Sequence, residues 1–244
     1  MNGATEATRS LPYDELAAHY RSVSADRAVY LRAIEEIIIR RIAGNADSLL
    51  DVGSADGHRA MRIAGLAHIS SVVLVEPSAG MRKFCQQNTQ AEIWPVRAEE
   101  LPEAESRFSV ITCLWNVLGH IETNQKRLTA LARMRRLIRD DGVIFVDVNN
   151  RYNAMNYGVL PTVGRMLHDL VAPSETNGDA KVTWTFGEQQ IRSPTHVFTP
   201  REVAKLLYDA DLSIKQKFAV DYRTGQVRGS TFAGQLLFEL TKNN

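Results

Sequence analysis

The 244-residue chain has only two cysteines, Cys85 and Cys113, far apart and outside any CxxC spacing. That excludes a disulfide framework and a cysteine-built zinc or redox site. Both thiols read as small buried apolar groups. No apolar run reaches the ~18 residues that span a bilayer, and the polar segment Met1–Ser10 lacks the core of a secretory signal. A soluble cytoplasmic protein is the expectation. An excess of one charge is also missing: 29 Lys and Arg stand against 28 Asp and Glu, a formal net charge of +1. This argues against a dedicated nucleic-acid binder, which needs a basic excess. With 44% hydrophobic and 23% charged residues, an acidic disordered chain is excluded too. Repeats and low-complexity tracts are absent. A chain of this length buries roughly three quarters of its unfolded surface, enough for one good core.

What is present is alternation. Residues 11–43 read as helix, with Leu31, Ile34, Ile38 and Ile42 on one face and Gly44 and Asn45 as the stop. Then the period changes. Ser48–Val52 and the β-branched run Ser71–Val75 read as strands buried on both faces. His58–Leu66 lies between them as helix, and Ser78 is set to cap a helix over Ala79–Asn88. Ala91–Val96 and Phe108–Leu114 read as strands, Asn124–Arg139 as helix, Asp140–Gly142 as a turn and Val143–Val148 as a fifth strand. This order predicts βαβ units and a parallel sheet. The pattern loosens over 151–198, expected to be a cap or insertion. Thr199-Pro200-Arg201-Glu202 is a capping box that starts a last helix. Leu212–Asp221 and Thr231–Thr241 follow as an antiparallel pair at the sheet edge.

The chemistry concentrates at Leu49-Leu50-Asp51-Val52-Gly53-Ser54-Ala55-Asp56-Gly57, a strand that ends in an acid and runs through small residues into a helix. Small residues let backbone approach a ligand, and the helix start offers free N–H groups. Glu76 closes the next strand, where a carboxylate can accept from both hydroxyls of a ribose. A dinucleotide fingerprint fails here, because Ala55 and His58 stand where it needs glycine. The competing reading of each residue alone is a tight turn and a strand-end surface acid.

Asp51-x-Gly53-x-x-x-Gly57 resembles instead the first motif of the class I S-adenosylmethionine-dependent methyltransferases, the seven-strand Rossmann-like family. Further segments are similar in order and spacing: Glu76-Pro77-Ser78 with Met81 beyond, Ala98-Glu99-Glu100-Leu101-Pro102, Phe108-Ser109-Val110-Ile111, and Leu137–Val146. The resemblance covers residues 45–150 well and the last helix and strands in outline. It implies an α/β three-layer sandwich with a mostly parallel seven-stranded sheet and an antiparallel edge strand. A lid (1–44), a cofactor core (45–150), an insertion after strand five (151–198) and a closing helix with two strands (199–244) would make one domain. It also implies S-adenosylmethionine as cofactor. Asp51, Gly53, Ser54, Ala55 and Gly57 would cradle its methionine part, Glu76, Pro77 and Met81 its ribose side. Ala98 and Glu99 would hold adenine, with Leu114, Trp115 and Asn116 closing the pocket. In the lid, similar to Tyr13–Arg21, Tyr20 would reach the cofactor and Arg21, Arg27 or Arg32 would pair with its carboxylate, unless this is plain packing helix. Two departures stand out: Arg97 where an acid or amide often holds adenine, and Asp140-Asp141-Gly142 in place of Pro-Gly-Gly.

The segment after the fourth strand faces the cofactor in this fold, and relatives carry a histidine there. His120 is the candidate general base, its ordinary pKa suiting proton transfer near neutrality; a histidine that only caps a helix is the competing reading. Asn149, Arg151, Tyr152 and Tyr157 follow the fifth strand as candidate substrate contacts, against a plain polar loop. Trp184, Phe186, His196 and Phe198 offer apolar walls in the insertion. No converging carboxylates call for a metal. The six cations between Lys126 and Arg139 fit a solvated helix face or, alternatively, nucleic acid. The expectation is methyl transfer to an O or N atom of a small molecule. The alternatives are a tRNA or other macromolecular substrate, a non-catalytic binder, and transfer of another group of the cofactor. Monomer and homodimer both stay open.

Overall fold

The computed structural model describes residues 11–243; Met1–Ser10, read above as a polar start, lies outside the described residues. The chain opens with α1 (Pro12–Leu16), a 3-10 turn (Ala17–His19), α2 (Tyr20–Ala25) and α3 (Ala28–Ile42). One helix was expected over this stretch, but it breaks because it buries against two different targets. Leu16, Ala17 and Tyr20 pack on Ala55 and Met81. Tyr30, Ile34, Ile38 and Ile42 of α3 pack instead against the sheet and its helices.

The Rossmann-like core runs β1 (Ser48–Val52), α4 (His58–Ala67), β2 (Ser71–Val75), α5 (Ala79–Asn88), β3 (Glu92–Trp94), β4 (Phe108–Cys113), α6 (Val117–His120), α7 (Asn124–Leu137) and β5 (Ile138–Val148). Asp140–Gly142 is part of β5, not a turn; the slack is taken up as a register shift against β4 between Phe108 and Val110. Residues 151–198 are more ordered than their composition implied. They form α8 (Ala154–Tyr157), α9 (Val159–Val171) and a hairpin of β6 (Asp179–Phe186) with β7 (Gln189–His196). The chain closes with α10 (Pro200–Asp209), β8 (Leu212–Val220), the short β9 (Val227–Arg228) and β10 (Gln235–Lys242).

The main sheet has the order β3-β2-β1-β4-β5-β10-β8-β9. β1 to β5 pair in parallel, and β10 runs antiparallel between β5 and β8. The long reversed strand, β10, therefore lies inside the sheet, and the two-residue β9 adds an antiparallel eighth strand at the edge. Alternate residues serve opposite faces. Leu50, Val73, Ile111, Ile144 and Phe238 meet α7 and α10, whereas Leu49, Leu74, Val110, Phe145 and Leu237 meet α3 and α4. Both faces are covered, which is why these strands are continuous apolar runs. The strand order reverses at β1, so the crevice beyond the carboxyl ends of β1 and β4 is where a ligand belongs.

Among the described residues no helix is long and apolar enough to cross a membrane. The six cations of the α7 region are engaged within the chain. Arg127 lies over the Phe198 ring, Arg133 and Arg136 meet Glu103, Arg135 meets Asp211, Arg139 meets Asp47 and Lys126 meets Glu122.

The capping box is formed: the Thr199 hydroxyl accepts from the Glu202 N–H at 3.1 Å and the Glu202 carboxylate from the Thr199 N–H at 3.3 Å. Thr199→Ala is expected to lower the unfolding free energy by about 1 kcal/mol in urea titrations with an unchanged slope.

Candidate functional site

Between β1 and α4 the backbone turns through three left-handed residues, Gly53 (φ +75°), Ala55 (φ +51°) and Gly57 (φ +74°). Glycine at 53 is also steric: a Cβ there would collide with Val117. The loop is locked from within. The Gly53 and Ser54 N–H groups donate to the Val75 carbonyl at 2.9 and 3.0 Å, and the Ser54 hydroxyl donates to the Asp51 carbonyl at 2.7 Å. Ser54 is thus a buried brace.

Glu76, fully enclosed at the end of β2, grips this loop. Its Oε2 accepts the Ala55 N–H and its Oε1 the Ser78 N–H, each at 2.8 Å. Each oxygen keeps a lone pair, so two hydroxyl donors fit the same carboxylate. Burial pushes the Glu76 carboxyl up to about 7, against the pull of those two N–H groups. Asp51 is buried beside it, accepting from the Thr112 hydroxyl at 2.6 Å, with the Arg59 guanidinium 3.9 Å away. Asp51 Oδ2 and Arg59 Nε are buried without a hydrogen-bond partner, so this spot has unused capacity for a ligand carrying both charges.

The lid closes over the loop. Asp14 of α1 accepts the Ser78 hydroxyl at 2.7 Å and the Gly80 N–H at 2.9 Å, fastening α1 to the start of α5. Pro77 turns the chain there, and its carbonyl accepts from Arg82 at 2.6 Å. Tyr13 reaches across to His120, its hydroxyl 3.0 Å from Nε2. His120 Nδ1 lies 3.1 Å from the Pro194 carbonyl, which can only accept. The proton is thereby assigned to Nδ1, and Nε2 presents its lone pair to Tyr13. Burial pushes the imidazole pKa down and the Tyr13 phenol up, so the pair is neutral histidine and protonated tyrosine at pH 7.

Around this pair lies a cavity of about 340 Å³, walled by lid (Tyr20, Arg27), core (Trp115, Asn149) and cap hairpin (Trp184, Phe186). Trp115 and Asn116 both sit at φ +61°. The Trp115 indole N–H donates to the Tyr222 hydroxyl at 3.1 Å and its ring stands edge-on to Tyr20. The Asn116 N–H donates to Asp147 at 2.9 Å, its amide oxygen accepts the Asn149 N–H at 2.8 Å, and its amide nitrogen donates to Thr195 and the His196 carbonyl.

The structure gathers Asp51, Gly53, Ser54, Ala55, Gly57, Glu76, Pro77 and Met81 at the β1–α4 loop and the start of α5, and sets Tyr20, Trp115, Asn116, His120 and Asn149 on the cavity next to it, with Tyr20 packing on Ala55 and Met81. Leu114 is buried just behind Trp115. Ala98 is buried as the first residue of a 3-10 turn (Ala98–Glu100), and Glu99 lies 4.0 Å from Lys126. Other candidates lie elsewhere. Arg32 is exposed on α3, because its helix turns that face to solvent. Arg151 holds Asp169 bidentately at 2.7 and 3.0 Å, Tyr152 donates to the same carboxylate at 3.0 Å, and Tyr157 stacks under Arg165. All three serve the α8–α9 cap and none lines the His120 cavity. His196 is clamped between Asp179 and Glu202 at 2.7 and 2.8 Å, and Phe198 is in the main core, so neither is a cavity wall. The residue that the sequence reading missed is Arg59, and Tyr13 and Asp147, placed there only within the lid and at the end of strand five, had no role assigned. Arg59 was findable, since it lies one turn before buried Ile63 on the inward face of α4. Tyr13 and Asp147 owe their places to tertiary contacts.

Residues 49–142 match the family model described as a methyltransferase domain. An uncharacterised protein of Methanocaldococcus jannaschii is 28% identical over 141 residues, 58% of this chain; the match spans 51%, about half, of that relative. Three solved structures share the fold. The CcbJ methyltransferase of Streptomyces caelestis superposes with a TM-score of 0.71 at 14% identity, covering 96% of this chain and 99% of that one. The sugar N-methyltransferase KedS8 of Streptoalloteichus gives 0.62 at 14%, covering 100% and 98%. CalS10 of Micromonospora echinaspora, an amino pentose methyltransferase bound to SAM, gives 0.62 at 14%, covering 91% and 96%.

A carboxyl whose folded pKa is raised holds its proton more tightly in the folded than in the unfolded chain. Its contribution is therefore lost as pH rises from the ordinary carboxylate range, near 4.5, through about 7. Glu76→Gln removes that loss. The stability of the wild type relative to Glu76→Gln is expected to fall by roughly 3 kcal/mol between about pH 4 and pH 8, read from urea unfolding at each pH. A flat difference would mean that Glu76 ionises normally.

Proposed function

We propose, from a core that is a methyltransferase domain of the class I, S-adenosylmethionine-dependent kind, that this chain transfers a methyl group to an O or N atom of a small molecule held in the His120 cavity. The observation that carries the reading is the cavity itself. At about 340 Å³ it is at the small end of the range for small-molecule sites. Its walls are largely aromatic, and a neutral base is exposed to it. The pairing of the α7 cations within the chain supports the small-molecule reading over nucleic acid. The two buried thiols fit a reducing, cytoplasmic setting.

The residues at the β1–β2 crevice fit the cofactor. Glu76 retains acceptor capacity for both ribose hydroxyls. The unpartnered Arg59 Nε suits the carboxylate of the methionine part, and Asp51 Oδ2 suits its ammonium. Bound S-adenosylmethionine supplies an electrophilic methyl on a positive sulfur. Since Leu16 and Tyr20 of the lid pack on Ala55 and Met81, the lid swings away to admit it and closes again, excluding water from the reaction. The nucleophile's proton goes to the Tyr13–His120 pair. His120 Nε2 accepts it, directly or through the Tyr13 hydroxyl, while Pro194 keeps the ring in the required tautomer. Trp115, Trp184 and Phe186 orient an apolar or mixed substrate, and Asn149 offers a polar contact.

Two experiments test this. Arg59→Met is expected to weaken S-adenosylhomocysteine binding 10- to 100-fold by calorimetry, the loss of one charge-assisted contact. Adenosine, which has no carboxylate, should bind unchanged; equal losses for both ligands would refute the role of Arg59. With a substrate identified from the cavity by mass spectrometry, His120→Ala is expected to lower kcat 10²- to 10⁴-fold with little change in cofactor affinity. Full turnover would rule out His120 as base.

A further inference from the structure

Helix α9 is built inside out. Its one buried residue is Thr162, and the half-buried Arg165, Met166 and Asp169 lie on the same inward side. That side is polar and pinned: Asp169 takes both guanidinium nitrogens of Arg151, the Tyr152 hydroxyl and the Asn177 amide. The helix cannot roll to bury its apolar side without breaking this cluster. The outward side carries Val159, Leu160, Val163, Leu167, Leu170 and Val171, with Leu160 84%, Val171 83% and Leu170 74% exposed. In an ordinary surface helix these faces are reversed.

The six side chains expose on the order of 700 Å² of contiguous apolar surface, beyond what a monomer's largest patch usually reaches. A stable protein interface takes about 800 Å² from each partner. Leu167 and Leu170 also wall a groove of about 1060 Å³ shared with Leu128, Leu206 and Phe232. The patch therefore has both a ridge and a recess.

Charge chooses the occupant. The groove beside the ridge carries charges of both signs, Arg151, Arg201 and Lys205 with Asp169, Glu175, Glu202 and Asp209. A helix that lies on an anionic membrane, or a surface that meets nucleic acid, carries a cationic rim that is missing here. A two-fold axis through α9 would place the same neutral apolar patch on itself, with no like-charge cluster brought together.

We propose that the outward face of α9, together with the groove beside it, is a homodimer interface formed by a second copy of this chain. The β6–β7 hairpin that walls the His120 cavity follows α9 in the same insertion. The proposal does not depend on the catalytic reading, because its test reads mass and not activity.

The test is sedimentation velocity on the full chain at about 50 μM, within the affinity range of such interfaces. A species of twice 27.3 kDa is expected for the wild type. Leu160→Glu combined with Leu167→Glu, both at exposed positions, is expected to give monomer with unchanged near-ultraviolet circular dichroism, a loss of at least 100-fold in dimer affinity. If that variant fails to fold, Val171→Lys alone is expected to raise the monomer fraction measurably. A monomeric wild type, or a folded variant that dimerises as well as the wild type, would overturn the proposal. So would wild-type monomer that co-sediments with phosphatidylcholine–phosphatidylglycerol vesicles, which would give the face to lipid.

Discussion

Asn116 is the constraint on which the site depends. Its backbone N–H reaches the Asp147 carboxylate at the end of β5, its side-chain oxygen takes the next backbone N–H of that strand end, and its side-chain nitrogen reaches into the cap at β7. All of this happens in a residue 2% exposed and held at φ +61°. An amide in this buried position is satisfied only if the ends of β4 and β5 and the cap hairpin sit together. The cap hairpin in turn supplies the Pro194 carbonyl that sets the His120 tautomer. Tyr30, whose hydroxyl donates to Asp147 at 2.6 Å, ties α3 to the same node. Asparagine is also among the few residues that tolerate the left-handed backbone there.

The near-zero net charge of the chain conceals a local arrangement. Asp51, Glu76 and Asp147 are buried at the carboxyl ends of β1, β2 and β5, with one guanidinium, Arg59, beside Asp51. Burial pushes the Asp51 and Asp147 carboxyls above the ordinary carboxylate range, although hydrogen bonds and Arg59 pull the other way. So many carboxyls in one low-dielectric crevice are costly on their own. A ligand with a positive sulfur and a zwitterionic amino-acid end relieves that cost, which gives a physical reason for this fold to accept such a cofactor. The α7 cations, by contrast, pair with Glu103, Asp211 and Asp47 on neighbouring segments.

Much of the core was legible because its signals are local. The apolar runs of β1 and β2, the Gly53–Gly57 turn, the Ser78 cap and the Thr199–Glu202 box are each written in a few consecutive residues, and each is formed. What escaped is set at long range. The lid breaks because two surfaces far apart in sequence claim its apolar residues. Arg151 looked like a substrate clamp until α9 supplied Asp169 18 residues later. The β6–β7 hairpin was hidden because Asp179–Phe186 alternates around a thin apolar set, with most of its side chains exposed. Of the three lid arginines offered for the cofactor carboxylate, Arg32 points to solvent and Arg27 lines the His120 cavity, while α4 adds the buried guanidinium of Arg59.

The central claim is that Glu76 and Arg59 mark the two ends of one S-adenosylmethionine site beneath the lid. A crystal structure with S-adenosylhomocysteine tests it most directly. The account predicts that both ribose hydroxyls lie on the Glu76 carboxylate and the amino-acid carboxylate on Arg59, with the sulfur directed toward the Tyr13–His120 cavity. Ligand bound elsewhere, or bound at this crevice without contact to Glu76, would contradict it.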